Sequence, residues 1–134
     1  MDNQLIIPFL DEQDLEPSKE NIPLLLAEWD RLRDELEILY RNRDQKNTLQ
    51  GMKKGISLFI QLLYLTNDRQ VKVTELEPID FIEIKPVNLD ERLGFIIGRP
   101  KLFHSYRQLS ELFIEQNKLY VKNNIVKKRL TSKG

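Results

Sequence analysis

An all-α fold is predicted for this chain: a single-domain helical bundle of about four main helices around a buried central helix at about residues 48–66. Three observations predict it. Within GMKKGISLFIQLLYLTN, the run Ile56–Leu65 has only two polar side chains, Ser57 and Gln61, so a helix built from it is apolar on every side and must be covered. Apolar residues recur at helical spacing in further segments, with charged residues between them. A length of 134 residues with 40% hydrophobic content suits one domain with one core. The central run is about half the ~20 residues that a bilayer crossing needs, so no membrane span is expected.

Taken in order, residues 1–20 read as an extended acidic arm, whose apolar patch Leu5–Leu10 is broken by Pro8 and is free to dock on the core or on a partner. The helical domain follows at residues 21–130. Its first helix is expected at Ile22–Arg43, with Asn21 as N-cap and Pro23 in the first turn, where a missing N–H costs little. Leu25, Trp29, Leu32, Leu36 and Leu39 or Tyr40 form its apolar stripe, and Glu37 with Arg41 makes an i,i+4 pair on the other face. Trp29 shares its stripe with leucines and is assigned to the core. Asn47 and Gln50 have capping-box spacing, which places the central helix start near Thr48. Gly51 and Gly55 are spaced for close helix approach, and Asn67 and Asp68 end the helix.

Residues 68–87 are punctuated by Pro78 and Pro86 and read as an irregular connector that covers the core with Leu76, Ile79, Phe81 and Ile84. Asn88 and Glu91 form a capping box before a short helix with Leu89, Leu93, Ile96 and Ile97, closed by Gly98 and Pro100. A second box, Ser105 with Gln108, opens the last helix, expected to run to about Lys127 with Leu109, Leu112, Phe113, Gln116, Leu119 and Tyr120 inward and Arg107, Glu111, Glu115 and Lys118 outward. Residues 131–134 read as a disordered tail.

The stretch KPVNLDERLGFIIGRPKLFHSYRQLSELFIEQNKLY, together with GMKKGISLFIQLLYLTN, resembles the bacterial YpoC-like family over roughly Trp29–Lys122. The resemblance implies a helical protein in a bacterial cytoplasmic setting. It implies no assigned activity and no catalytic residues.

Charge and residue inventory narrow the chemistry. The 21 acidic and 21 basic residues balance, so no net field selects a polyanion or a cationic partner. The distribution is uneven. The first 20 residues carry Asp2, Asp11, Glu12, Asp14, Glu16 and Glu20 against one base, Lys19, whereas from Lys118 onward there are Lys118, Lys122, Lys127, Lys128, Arg129 and Lys133 and no acid. With no cysteine, disulfides, thiolate metal sites and thiol nucleophiles are excluded. A single histidine, His104, excludes or cripples the His-paired triads, the HExxH helix and the paired Glu-x-x-His pattern, and no phosphate-cradling glycine loop is present. No secretory leader is expected at the amino terminus, and a cytoplasmic location without cofactor or metal is expected.

Two functional expectations remain. The first is a non-enzymatic helical interaction or adaptor protein with a protein partner, because the chain offers helix faces and no grouped chemistry. The alternative is a nucleic-acid-associated protein. Arg99, Lys101, His104 and Arg107 gather around the start of the last helix, where cations and free N–H groups together suit an anion. Lys122, Lys127, Lys128 and Arg129 would add the basic tail. The Gly98–His104 connection reads as longer than the three or four residues of a helix-turn-helix. Glu111 and Glu115, four residues apart, could hold a hard cation but are expected to be solvated. Oligomeric state is not legible.

Overall fold

The computed structural model describes residues 22–68 and 82–132, with side chains to residue 126. The expected acidic arm, the Asn21 cap, most of the connector with Leu76, Ile79 and Phe81, and residues 133–134 lie outside the described residues. Four helices follow one another: α1 (Ile22–Arg41), α2 (Gln45–Thr66), α3 (Leu89–Gly98) and α4 (Phe103–Ser132). The described residues contain no strand, and residues 82–88 leading into α3 are irregular, as expected.

α2 is the covered centre. From Ile56 to Leu65 every side chain is buried except the half-buried Gln61. Its partner α1 comes close because Gly51 and Gly55 leave room: a Cβ on Gly55 would stand 2.9 Å from Trp29 Cζ3 and 3.1 Å from Leu109 Cδ2, and one on Gly51 would stand 2.7 Å from Leu36 Cδ2. The Trp29 indole fills that space and stacks on Phe113 of α4 with ring centroids 4.1 Å apart. Phe59 of α2 meets the same Phe113 edge-on at 5.4 Å. Such aromatic pairs add roughly 0.5–1.5 kcal/mol each beyond the area they bury. Trp29 is therefore a core residue that ties three helices together.

Three contacts set the register of α1 against α4. The Tyr40 hydroxyl donates to the carbonyl of Pro100 at 2.9 Å, the Tyr106 hydroxyl donates to Glu37 Oε1 at 2.9 Å, and Trp29 stacks on Phe113. Descending α1 thus ascends α4, and the two helices are antiparallel. The same register carries Ile22 to the level of Tyr120, the last α4 side chain packed against the core. α4 continues to Ser132, so residues 121–132 extend about 18 Å, at 1.5 Å per residue, beyond the last α4 side chain packed against the described core.

Several boundaries differ from the sequence expectations. α2 begins at Gln45, three positions before Thr48, because Asp44 is the cap: its Oδ1 accepts from the Asn47 N–H at 3.2 Å, and Asn47 Nδ2 returns a bond to Oδ2 at 2.7 Å. These bonds from Asn47 also hold the Asp44 carboxyl below its ordinary pKa. α1 stops at Arg41, two residues early, and Arg43 takes a left-handed φ of 56° in the turn. Glu37 bonds Tyr106 instead of supporting Arg41. Asn88 stands at the N-cap of α3, but with φ 57° and ψ 36° it makes no side-chain capping bond, so the expected Asn88/Glu91 box is absent. Asparagine serves there because its short polar side chain tolerates the left-handed conformation. Ser105 does not cap either. α4 starts at Phe103, which places Ser105 inside the first turn, buried, with its hydroxyl donating to the Arg99 carbonyl at 2.6 Å. α4 also runs beyond Lys127 to Ser132.

The chain leaving the connector is fastened by side-chain amides. Asn67 Oδ1 accepts from the Ile84 N–H at 2.8 Å while its Nδ2 donates to the Ile84 carbonyl at 2.9 Å, and Gln116 Nε2 donates to that carbonyl at 3.0 Å. This seats Ile82 in the core at 1% exposure. Among the described residues, Gln116 Oε1 is buried without a hydrogen-bond partner.

Candidate functional site

The α3–α4 corner gathers the residues singled out for anion binding, and the fold separates them. Arg99, the C-cap of α3, lays its guanidinium over the Phe95 ring at 5.4 Å from the centroid. His104, on the first turn of α4, meets the edge of the same ring at 5.5 Å. Arg99, Lys101 and His104 are all exposed around this corner. Arg107 is exposed one turn along, on the α1 side, in an open groove that it shares with Arg33 and the carboxylates Asp34, Glu37 and Glu111. Three acids facing two bases do not make that groove attractive to phosphate.

The corner itself is rigidly bonded. Tyr40 donates to the carbonyls of Pro100 at 2.9 Å and Leu102 at 3.1 Å, and Ser105 takes the Arg99 carbonyl. Phe103 and Tyr106 pack against Tyr40 at centroid distances of 5.4 and 5.6 Å. Burial pushes the Tyr106 phenol up to about 12, and its bond to Glu37 acts in the same direction. The Tyr40 phenol is raised further, first by burial and then by Tyr106. Both hydroxyls remain donors at neutral pH. Tyr40 holds the turn carbonyls and Tyr106 holds Glu37 of α1, and neither is an acid or base poised for chemistry near pH 7.

Glu115, expected to face outward beside Glu111, instead joins α4 to α3. Arg92 donates to it through both terminal nitrogens, and Nη1 also reaches the Val87 carbonyl at 3.1 Å. The Glu115 pairing raises the Arg92 pKa. Glu115 is thus unavailable as a cation ligand, and no group of three or more potential ligands occurs among the described residues.

The sequence did not draw attention to the outer face of α4 as a surface. Ile114, Val121, Ile125 and Val126 are 52%, 47%, 47% and 45% exposed. Ile114, Val121 and Ile125 lie along one line, since separations of seven and eleven residues approximate two and three whole turns. Lys118 and Lys122 are exposed beside them, and Lys122 is the one sequence-chosen tail cation whose side chain is described. The sequence positions of Lys127, Lys128 and Arg129 extend the basic charge to the end of the helix. The helical spacing of the apolar residues was the available signal. It was hidden because the inward stripe absorbed the periodicity.

Comparison with known proteins adds the family. The family model described as YpoC-like protein matches residues 19–128, which spans all four helices almost to the end of α4. The chain belongs to the YpoC-like family. The uncharacterized protein YpoC of Bacillus subtilis (strain 168) is 30% identical over 109 residues, an alignment covering 80% of this chain and 66% of the relative, just under two-thirds of its length. No solved structure matches this YpoC-like chain. Among its described residues no helix is long and apolar enough to cross a membrane.

Proposed function

We propose that this YpoC-like chain is a non-enzymatic interaction or adaptor protein that engages a protein partner through the outer face of α4. One observation carries the proposal: α4 leaves the bundle after Tyr120 and displays Val121, Ile125 and Val126 where no other described helix covers them. Apolar area returned to a partner stabilises association by about 25 cal/mol per Å², and a helix face with anchors at near whole-turn spacing, here Ile114, Val121 and Ile125, is a common docking form. Lys118 and Lys122 favour an acidic partner segment. A photo-crosslinking side chain at Val121 or Ile125 in living cells should give a discrete protein adduct. The same group at Leu24, exposed on α1, is the control. Indistinguishable adduct patterns at the three positions would remove the proposal.

A second function, association with nucleic acid, is supported by the α3–α4 connection, which is Arg99–Leu102 and not the longer segment expected from sequence. Four residues suit a helix-turn-helix turn. Arg99, Lys101 and His104 stand exposed there, but Arg107 sits among carboxylates, which weakens a continuous phosphate track. Retention on immobilised DNA or RNA at low salt, falling steeply as salt rises, is the expected signature. If Arg99→Glu with Arg107→Glu abolishes retention and deletion of residues 127–134 does not, binding belongs to the corner. A parent chain that is not retained at low salt eliminates this function.

A further inference from the structure

We infer that the end of the bundle formed by the α1–α2 and α3–α4 turns docks on an anionic lipid surface. It concerns the start of α4, away from the outer face assigned above, and does not depend on that face. Three observations support it. First, the two turns share one end. Tyr40, in the last turn of α1, donates to the carbonyls of Pro100 at 2.9 Å and Leu102 at 3.1 Å, so the α3–α4 turn lies against the close of α1, where the chain turns into α2. Both turns lie wholly within the described residues. Second, a chain of balanced charge concentrates bases there. Residues 40–47 carry Arg41, Arg43 and Lys46 against Asp44, and residues 95–107 carry Arg99, Lys101 and Arg107 with no acid. Arg41, Arg43, Lys46, Arg99 and Lys101 are exposed, and none makes an ion pair among the described residues. Asp44 is half-buried, with its carboxylate bonded to Asn47. The carboxylates that share a groove with Arg107, namely Asp34, Glu37 and Glu111, stand a turn or more from both turns along their helices. Third, Leu102 and Phe103 stand 46% and 50% exposed among these bases.

The combination selects the surface. A duplex phosphate backbone answers the bases and offers nothing to adjacent exposed leucine and phenylalanine side chains. The headgroup region of a bilayer receives both, bases at the phosphates and apolar side chains at the acyl boundary. Five bases spread over two turns also suit an extended plane of charge better than a single acidic segment. Docking requires no ordering of the corner. Tyr40, and Ser105 through its bond to the Arg99 carbonyl at 2.6 Å, already hold the α3–α4 turn, so Leu102 and Phe103 meet the interface from a fixed backbone. Each base near an anionic leaflet strengthens association about fivefold, an attraction that falls off within a Debye length. Charge and a shallow apolar contact are each marginal alone, and together they give a reversible attachment that salt weakens. No span is involved, since among the described residues no helix is long and apolar enough to cross.

Cosedimentation of the full chain with vesicles of equal phosphatidylglycerol and phosphatidylcholine tests this, with pure phosphatidylcholine vesicles as the control. At low salt the chain should pellet with the first and not with the second, and high salt should release it. Arg99→Gln with Lys101→Gln should weaken association about 25-fold, and Arg41→Gln with Arg43→Asn should do the same, both with urea midpoints near the parent's. The Arg43 change keeps a residue type that tolerates the φ of 56° there. The emission of a Leu102→Trp variant should shift to the blue on the anionic vesicles, whereas that of Leu24→Trp, at the far end of α1, should not. Leu102→Ser reads the same contact as a several-fold loss of pelleting if the tryptophan variant does not fold. No pelleting at low salt, equal pelleting with both lipids, or an unshifted Leu102→Trp emission overturns the inference. Retention on duplex DNA that Arg99→Gln with Lys101→Gln abolishes, without vesicle binding, overturns it in favour of nucleic acid.

Discussion

Alanine at Gly55 tests the centre of the packing. Within an exposed helix, Gly→Ala stabilises by about 1 kcal/mol through backbone entropy. At Gly55 the new methyl would lie 2.9 Å from Trp29 Cζ3 and 3.1 Å from Leu109 Cδ2, and the indole is itself stacked on Phe113 at 4.1 Å between centroids. A buried, stacked ring yields less readily than a flexible chain end, so overpacking of roughly 1–3 kcal/mol applies and the net change is a loss of about 1 kcal/mol. Gly94, on α3, has nothing within 4 Å of its Cβ position, and Gly94→Ala should show the uncompensated gain. The two variants should therefore differ by about 2 kcal/mol, or ~1 M in urea midpoint for slopes near 2 kcal/mol/M. Trp29→Phe in the Gly55→Ala background should recover part of the loss, giving coupling of about 0.5–2 kcal/mol. Equal stabilisation by Gly55→Ala and Gly94→Ala would refute the close approach of α1 and α2.

Further outcomes follow from the same structure. Leu62→Ala and Leu63→Ala, both at 0% exposure, should each cost about 2–5 kcal/mol by cavity formation, and a pair of unchanged urea midpoints would remove α2 from the core. Because Asn88 has φ 57° and makes no capping bond, Asn88→Gly should retain or raise stability while Asn88→Ala and Asn88→Ser lose alike, by about 0.5–1 kcal/mol; a serine that outperforms alanine would restore side-chain capping. The raised phenols have an alkaline consequence. An unfolded tyrosine near pKa 10 gives up its proton before Tyr106, which is pushed to about 12, so the stability contributed by the neutral phenol is full below pH 10 and lost as pH rises through 12. Urea midpoints should fall over that window, and Tyr40→Phe with Tyr106→Phe should lessen the fall; an unchanged slope would contradict their burial. Arg92→Lys should destabilise the α3–α4 contact by about 0.5–1 kcal/mol, since one ammonium cannot reproduce the two-nitrogen grip on Glu115 and the bond to Val87. A urea midpoint equal to the parent's would count against that grip.

Features written in local periodicity were legible. The covered run Ile56–Leu65, the Trp29 stripe and the glycine pair all found their expected places, because burial on α2 is decided by composition over two or three turns. Cap chemistry was less legible. The same spacing of polar residues recurs at Asp44/Asn47 and Asn47/Gln50, and only the first is used, since the choice depends on where α1 turns. At Asn88 and Ser105 long-range geometry overrode the local pattern: one residue supplies a left-handed bend and the other holds a carbonyl six residues back. The candidate cations were found in sequence, but their division between Phe95 and a carboxylate-lined groove was not, because it depends on α1 lying beside α4. Tyr40 and Tyr106 were missed as fasteners for the same reason: their partners are 60 and 69 residues away.

The amide grip on Ile84 has an architectural consequence. Asn67 and Ile84 are 17 residues apart, yet they bond in both directions as strand neighbours would, and Gln116 secures the same carbonyl from α4. The end of α2 and the chain entering α3 are therefore fastened directly to each other, a closure whose cost depends only weakly on the length of chain between. Doubling the length of such a loop costs only about 0.6 kcal/mol. Asn67→Ala should accordingly release the end of α2 and Ile84 at once, leaving Gln116 alone on the Ile84 carbonyl.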